Sequence, residues 1–193
     1  MPLVTPFFRW RLQMAVAVLA LSGVVFSPLL SAQIAFRNVV TGGLIDLEDA
    51  QEEGRDTEAV KHFLQSGNNI YNNNPACLKE GESLFLTACS ACHGHHAEGK
   101  IGPSLTDDYW TYLEGQTDDG FFSIIFGGAR ASMGPQYLAL TLDEMLLIMS
   151  WIRHMYHGDL STADWMTDED RAAYKPYELN QELVIPEGAS CKH

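Results

Sequence analysis

A chain of 193 residues is long enough to bury one hydrophobic core. It carries 25 acidic and 12 basic residues, and the resulting formal charge of −13 argues against nucleic acid as a partner, because the phosphates would repel it. The same charge favours solubility and can steer the chain toward a basic partner surface. A solvated acidic surface without any partner is an equal alternative.

The first 32 residues have the pattern of a secretory signal peptide. Arg9 and Arg11 precede an apolar stretch from Leu12 to Leu30, and a small-residue cleavage box ends at Ala32. The stretch is near the lower length limit for crossing a bilayer, so a retained membrane anchor is the alternative. Cleavage is favoured because polar and small residues interrupt the apolar run. We therefore expect an exported protein with no membrane attachment after cleavage.

Residues 33–76 are interpreted as an N-terminal extension wrapped on a core domain. Ile34–Phe36 and Val39–Val40 predict a small strand pair, with a turn at residues 41–43. The apolar spacing between Asp56 and Gln65 predicts a helix. The asparagine-rich segment that ends at Pro75 is typical of a loop.

The core domain is placed at residues 77–160, and its first helix is predicted from Lys79 to Cys89. Gly81 and Phe85 share one face of this helix, so a second helix can approach closely at the glycine while the phenylalanine fills the space beside it. Trp151 of that second helix is expected to pack across the crossing.

The second helix is predicted from Leu142 to Tyr156. Thr141 and Glu144 form a capping box at its start, and Gly158 is the expected stop. Its apolar stripe consists of Met145, Ile148, Met149, Ile152 and Met155.

Residues 161–193 are interpreted as a C-terminal extension. A short helix is expected to start at Thr167, with Asp170 as the returning acid of its capping box, and a polar tail follows. Export places the chain in an oxidising compartment, so Cys77 and Cys191 can form a disulfide or remain free thiols.

Residues 89–93 read Cys-Ser-Ala-Cys-His, which is the attachment signature of a c-type haem. Cys89 and Cys92 would bind the porphyrin through two thioethers, and their spacing fits one helical turn. His93 would then be an axial ligand of the iron. Zinc binding or thioredoxin-like dithiol chemistry is the alternative, but neither a second ligand pair nor a βαβ pattern is visible.

The loop Ile101-Gly102-Pro103 follows the attachment motif. A ligand histidine needs an acceptor for its second ring nitrogen, commonly a backbone carbonyl, because that bond fixes its tautomer. We predict that the carbonyl of Pro103 accepts from His93; an ordinary turn is the alternative.

Met133 is the predicted second axial ligand. It lies in a loop of small residues, from Gly127 to Pro135, whose glycines let the backbone pass close to a flat haem. Pro135 stiffens the loop. The other methionines are better explained by core or surface positions: Met145, Met149, Met155 and Met166. His95 and His96 are expected at the surface or the haem edge, and helical positions favour structural roles for His62, His154 and His157. Trp110, Tyr112 and Arg130 either bind haem propionates or belong to the core and rim.

Together these features resemble a class I cytochrome c, an all-α fold whose helices pack around one covalently bound haem. The chain is further similar to the cytochrome c-L family. The similarity is carried by the segment from Cys89 to Pro103 and by Asp-Asp-Tyr-Trp-Thr-Tyr, Phe-Gly-Gly-Ala, Met-Gly-Pro and Leu-Thr-Leu-Asp-Glu-Met. It extends from about residue 34 to residue 177. Leu113 departs from it, since a proline is expected there.

This resemblance implies a periplasmic one-electron carrier rather than an enzyme. Its donor would be quinoprotein methanol dehydrogenase, and its acceptor would be a downstream soluble cytochrome c. The resemblance also implies a structural calcium ion near the haem propionates, for which the sequence offers no readable ligand set. Three alternatives stay open: the partner of a lanthanide-dependent methanol dehydrogenase, a haem sensor or enzyme with an open sixth position, and a fixed subunit of an oxidase.

Overall fold

The computed structural model describes residues 34–72, 74–179 and 182–191, so the predicted signal peptide at residues 1–32 lies outside the described residues. The α-helices of the described part are α1 (Glu58–Ser66), α2 (Pro75–Ala88), α3 (Ser90–His93), α4 (Asp118–Gly127), α5 (Leu142–His154) and α6 (Asp168–Ala173). Short 3-10 turns lie at Leu47–Asp49, Leu113–Gln116, Gln136–Leu138 and Leu160–Thr162. The all-α prediction is confirmed for these residues, and none of their helices is long and apolar enough to cross a membrane.

The predicted strand pair near the N-terminus is wrong in extent. It reduces to one antiparallel bridge between Arg37 and Leu44. Between them, the side-chain oxygen of Asn38 accepts hydrogen bonds from the N–H groups of Val40 and Thr41 at 3.0 and 2.9 Å. Because these two N–H groups donate to a side chain, they are not available for the backbone hydrogen bonds that would have lengthened the strands.

Helix α1 confirms the helix predicted from apolar spacing and starts two residues later than expected. The hydroxyl of Thr57 accepts a first-turn N–H at 3.2 Å, and Gly67 ends the helix with a φ of +74°. Its buried Phe63 lies against the rings of Phe36 and Phe122, with centroids 5.7 and 5.0 Å away. These rings attach the N-terminal extension to the core.

Helix α2 starts at Pro75, four residues before the predicted Lys79. The side chain of Asn74 caps it by accepting the N–H of Ala76 at 3.1 Å. A proline in the first turn sacrifices no helical hydrogen bond. The loop prediction for the asparagine-rich segment is therefore wrong at its end.

The predicted crossing of α2 and α5 is confirmed. A Cβ added at Gly81 would lie 2.1 Å from the carbonyl oxygen of Leu147 and 3.2 Å from the Cβ of Trp151, so only glycine allows this approach. Phe85, one turn further along α2, is fully buried beside the crossing.

Helix α4 has no counterpart among the sequence predictions. Thr117 caps it by accepting the N–H of Gly120 at 3.2 Å, and every residue from Gly120 to Phe126 is buried. A helix that is apolar on all sides lacks the 3.6-residue alternation by which an amphipathic helix is recognised.

Helix α5 begins with the predicted capping box. Thr141 accepts the N–H of Glu144 at 3.2 Å, and the Glu144 carboxylate accepts the N–H of Thr141 at 2.8 Å. The apolar stripe forms the centre of the core, as expected, and Met145 and Met149 are fully buried.

The end of α5 was predicted at Tyr156 but lies at His154. Beyond it, the N–H of His157 donates to the carbonyl of Thr106 at 2.8 Å. This bond to another loop, rather than a glycine cap at Gly158, turns the chain away from the helix axis.

A buried ion pair at the end of α5 was not predicted. The side chains of Arg153 and Asp118 are each 2% exposed, and Nε donates to Oδ1 at 3.1 Å. Asp118 also accepts from the backbone of Asn69 at 3.1 Å and from the side chain of Asn72 at 2.9 Å. The ring of Trp165 covers the guanidinium at 3.6 Å. Burial lowers the pKa of Arg153 to about 10, so the group is charged at neutral pH and depends on this carboxylate.

The C-terminal extension is anchored beyond α6, which carries the predicted capping box. The ring of Tyr177 lies against Trp151 and His154, with centroids 6.0 and 5.5 Å away. Cys191 is joined to Cys77. Of the two alternatives for these cysteines, the structure contains the disulfide.

Candidate haem site

The attachment motif lies on one helical turn directly after α2. The N–H of Cys89 donates to the carbonyl of Phe85, and the N–H groups of Cys92 and His93 both donate to the carbonyl of Cys89, at 3.1 and 3.0 Å. Cys92 and His93 therefore lie on the short helix α3 and Cys89 lies at its N-cap, so the three residues occupy one helical turn, as the sequence predicted. Two thiols and an imidazole on one turn form a donor set for a covalently attached haem.

The thiols of Cys89 and Cys92 do not have the environment of a redox-active dithiol. Both are free, and Cys92 is exposed while Cys89 is half-buried. Burial raises the pKa of Cys89 to about 11, and the neighbouring Cys92 adds to the rise. A thioredoxin-like pair needs a thiol with a lowered pKa, so this environment argues against dithiol chemistry.

His93 is oriented by the following loop. Its Nδ1 lies 2.8 Å from the carbonyl oxygen of Pro103, which confirms the predicted hydrogen bond. Since a carbonyl can only accept, Nδ1 carries the proton and Nε2 is left with its lone pair. This is the tautomer that an axial ligand requires.

Gly102 lies against the face of the same imidazole. A Cβ at this position would be 2.7 Å from Cε1 and 3.0 Å from Nδ1 of His93. The loop is fastened to the motif by two backbone bonds: the N–H of Gly102 donates to the carbonyl of Cys92 at 2.8 Å, and the N–H of Gly99 donates to the carbonyl of His93 at 2.7 Å. Motif and loop therefore form one hydrogen-bonded unit that limits rotation of the ring.

The Met133 loop is folded back on itself. Gly128 has a φ of +75°, and a Cβ there would lie 2.7 Å from the carbonyl oxygen of Met133. The N–H of Ala129 donates to that same oxygen at 2.9 Å. Met133 is half-buried against the core. The loop can fold back this closely only because Gly128 has no side chain.

The competing methionines have other surroundings. Met145, Met149 and Met155 are at most 1% exposed within the main core, and Met166 packs in a smaller cluster with Tyr156. Among the histidines, His95 and His96 are exposed directly after the motif, and the ring of His154 packs against the rings of Trp151 and Tyr177. These positions agree with the core and surface roles expected for them.

The three candidates for propionate binding divide into two groups. The hydroxyl of Tyr112 accepts the N–H of Arg130 at 3.1 Å, so it supports the Met133 loop, and the Arg130 side chain is exposed. Trp110 packs edge-on against Phe121, and its buried Nε1–H has no partner among the described residues. The buried Nε1–H of Trp151 is also without a partner there, so an unpaired indole donor does not by itself mark a propionate site.

Other metal chemistry finds no support in the described residues. They contain no group of three or more His, Cys, Asp and Glu side chains that could hold a metal ion. The described residues therefore give no basis for the calcium ion that the resemblance implied. The Cys-x-x-Cys-His turn and the oriented imidazole do fit a haem.

Comparison with known proteins extends these findings. The family model for cytochrome c oxidase, cbb3-type, subunit III matches residues 76–152. Cytochrome c-L of Methylorubrum extorquens is 47% identical over 192 residues, which cover 95% of this chain and 96% of that protein. The cbb3-type cytochrome c oxidase subunit CcoP of Rubrivivax gelatinosus is 39% identical over 71 residues, which cover 36% of this chain and 23% of that protein. Similarity to the oxidase subunit is thus partial.

Solved structures agree with the wider similarity. Cytochrome CL from Methylophaga aminisulfidivorans matches with a TM-score of 0.73 and 54% identity, covering 77% of this chain and 99% of that one. Cytochrome cL from Hyphomicrobium denitrificans matches with a TM-score of 0.71 and 50% identity, covering 77% and 89%. This chain therefore belongs to the cytochrome c-L family, and it is a monohaem c-type cytochrome that transfers electrons rather than an enzyme.

Proposed function

We propose that the chain is a periplasmic one-electron carrier that accepts electrons from quinoprotein methanol dehydrogenase and passes them to a downstream soluble cytochrome c. Membership of the cytochrome c-L family supports the donor, and the signal-like residues 1–32 support export. We further propose that the mature protein comprises an extension at 33–76, a haem domain at 77–160 and a C-terminal extension at 161–193.

The proposed site uses four residues. Cys89 and Cys92 would form the thioethers that hold the haem, and His93 and Met133 would supply the nitrogen and sulfur ligands of its iron. The orientation of His93 carries this proposal, because the 2.8 Å contact between its Nδ1 and Pro103 leaves Nε2 free for a metal. When bound, the haem supplies a one-electron ferric/ferrous couple, and a histidine with a methionine raises its potential relative to two histidines.

The role of the polypeptide is to keep this coordination unchanged in both oxidation states. The Pro103 carbonyl restrains the imidazole, and the N–H groups of Gly99 and Gly102 fasten its loop to the backbone carbonyls of His93 and Cys92. The fully buried Phe85 lies one helical turn before the motif. A rigid apolar surrounding excludes water and favours the less charged ferrous state. A carrier of this kind needs no general acid or base.

The acidic surface suits brief encounters with a basic partner. The full chain has a net charge of −13, and the proposed mature chain is more acidic still because it lacks Arg9 and Arg11. This charge can steer association, and a steered reaction slows as salt screens the charges. We expect the rate of electron transfer from methanol dehydrogenase to fall with ionic strength. A rate that is indifferent to salt would remove steering and leave the carrier role intact.

Stopped-flow mixing with purified, reduced methanol dehydrogenase tests the donor directly. Haem reduction should be fast and second order with the parent protein, and no reduction would contradict the proposal. Calcium-type and lanthanide-type dehydrogenases can be compared in the same instrument. The type that reduces the haem faster identifies the partner.

The ligand assignment has its own test. Met133→Ala should abolish the weak far-red charge-transfer band of methionine-ligated ferric haem, and a retained band would show that another methionine is bound. The parent ferrous protein should resist carbon monoxide at neutral pH, whereas ready binding would favour a sensor or enzyme with an open sixth position.

The match to an oxidase subunit over residues 76–152 favours one alternative function, that of a fixed oxidase subunit. A fixed oxidase subunit would retain its N-terminal segment as an anchor. Mass spectrometry of the protein produced in its host should instead give a mass that begins near residue 33, and a retained segment would favour the oxidase role.

A further inference from the structure

Both the oxygen and the nitrogen of the Asn38 side-chain amide form hydrogen bonds. Its Oδ1 accepts the N–H groups of Val40 and Thr41, at 3.0 and 2.9 Å, so the oxygen faces its own turn. The Nδ2 group therefore faces outward from the turn, and it donates to the carbonyl of Gly127 at 3.1 Å. The N-terminal extension thus reaches the last residue of α4.

That contact lies where the Met133 loop begins. The carbonyl of Gly127 is one of the terminal groups of α4 that no helical N–H can satisfy, and Asn38 supplies the missing donor. A Cβ at Gly127 would lie 2.6 Å from Nδ2 of Asn38, so the approach requires a residue without a side chain. Only glycine at position 127 leaves room for the amide of Asn38.

The rest of the loop is held at separate points. Tyr112 accepts the N–H of Arg130 at 3.1 Å, and the ring of Tyr137 stacks on Phe126 with centroids 4.9 Å apart. Asn38 thus fixes the start of the loop, Tyr112 its middle, and Tyr137 its end.

We propose that Asn38 is a positioning residue for Met133, and that the N-terminal extension thereby strengthens the bond between this methionine and the haem iron. The inference rests on the proposed ligation by Met133. Without the Asn38 donor, the carbonyl of Gly127 loses this hydrogen bond, and the segment from Gly128 to Met133 gains conformational freedom. The thioether then competes less well with added ligands.

Imidazole titration of the ferric holoprotein measures this competition. Asn38→Asp keeps the acceptor for Val40 and Thr41 but presents an oxygen to the carbonyl of Gly127, so it removes the contact and preserves the turn. We expect imidazole affinity to rise at least about fivefold, the equilibrium equivalent of one typical hydrogen bond, and the far-red band to weaken. Arg37→Ala is the matched control, because it removes a 3.1 Å bond to Gly42 on the same turn. Its imidazole affinity should stay within about twofold of the parent value, which is less than the effect of one hydrogen bond.

A second pair of variants tests the same contact from the other side. Gly127→Ala should displace the Asn38 amide and raise imidazole affinity as Asn38→Asp does. Gly43→Ala is its control, since the added Cβ would meet Thr41 at an ordinary 3.4 Å. This pair also decides the matter if Asn38→Asp does not bind haem.

The two hypotheses fail in different ways. If Met133→Ala abolishes the far-red band but the Asn38 and Gly127 variants bind imidazole like the parent, the positioning role is wrong and the ligand assignment stands. If Met133→Ala retains the band, the ligand assignment is wrong and the positioning role falls with it.

Discussion

The disulfide between Cys77 and Cys191 offers a stability prediction whose size follows from the chain. Cys77 is fully buried near the start of α2, whereas Cys191 is half-exposed close to the chain end. Cys191→Ser therefore breaks the bond with little change to the core. We expect the substitution to lower the free energy of unfolding while the haem site keeps its spectrum.

The expected loss comes from chain entropy. The bond joins residues 114 positions apart, and a loop of that length restricts the unfolded chain by about 5 kcal/mol. Residues 184–190 are exposed, so the freed tail gains entropy in the folded state as well. The net loss should thus be smaller, about 2–4 kcal/mol, which corresponds to a fall in Tm of about 5–15 °C.

Thermal unfolding of the mature holoprotein, followed by circular dichroism, measures this change. With the haem kept ferrous in every sample, reduction of the parent with dithiothreitol should lower Tm by the same amount and leave Cys191→Ser unaffected, because thioethers are not reduced. Ser190→Ala, an exposed neighbour, is the control. If Cys191→Ser melts within about 2 °C of the parent, less than 1 kcal/mol depends on the bond and the entropic reasoning fails.

Three further outcomes are expected from denaturant or thermal unfolding. Asp118→Asn should destabilise the fold by about 3–5 kcal/mol, because it leaves the buried charge of Arg153 without a counterion. Gly81→Ala should lower stability by about 2 kcal/mol or more despite a better helix propensity, since its Cβ would meet the Leu147 carbonyl at 2.1 Å. Burial lowers the pKa of His154, so the unfolded state binds this proton more readily than the folded state. Stability should therefore fall as the pH drops from about 7 to 5, and the fall should be smaller in His154→Asn.

Each of these predictions has a control on the same segment or residue type. For Asp118→Asn the control is Asp119→Asn, which changes a neighbouring carboxylate of α4 that lacks the ion pair with Arg153. For Gly81→Ala the control is Ser83→Ala, which changes an exposed position of α2 without adding a side-chain atom. His95→Asn removes an exposed histidine beside the motif. Equal losses in Asp119→Asn and Asp118→Asn, a neutral Gly81→Ala, or parallel pH profiles for the two histidine variants would each contradict the corresponding prediction.

The local features of the fold were predictable because they depend on residues close in sequence. The capping box of Thr141 and Glu144, the helical turn of the attachment motif, and the contact between His93 and Pro103 each span about ten residues or fewer. Their geometry follows from helix periodicity and from the hydrogen-bonding needs of an imidazole. The resemblance to cytochrome c-L rested on such segments.

Errors arose where the sequence pattern was ambiguous or the partner was remote. Helix α4 is buried on all sides and so shows no periodicity, and Pro75 opens a helix where an asparagine-rich loop was expected. The strand pair failed because Asn38 takes the backbone donors of its own turn.

By itself the sequence determined the cofactor, its covalent attachment and the helix pair that supports it, because short motifs carry that chemistry. Only the tertiary structure decided which distant groups meet. Asp118 pairs with Arg153, Cys77 bonds to the chain end, and Asn38 reaches Gly127 across 89 positions. Such contacts depend on the packing of several helices together, and no local pattern of residues records which polar groups will be buried side by side.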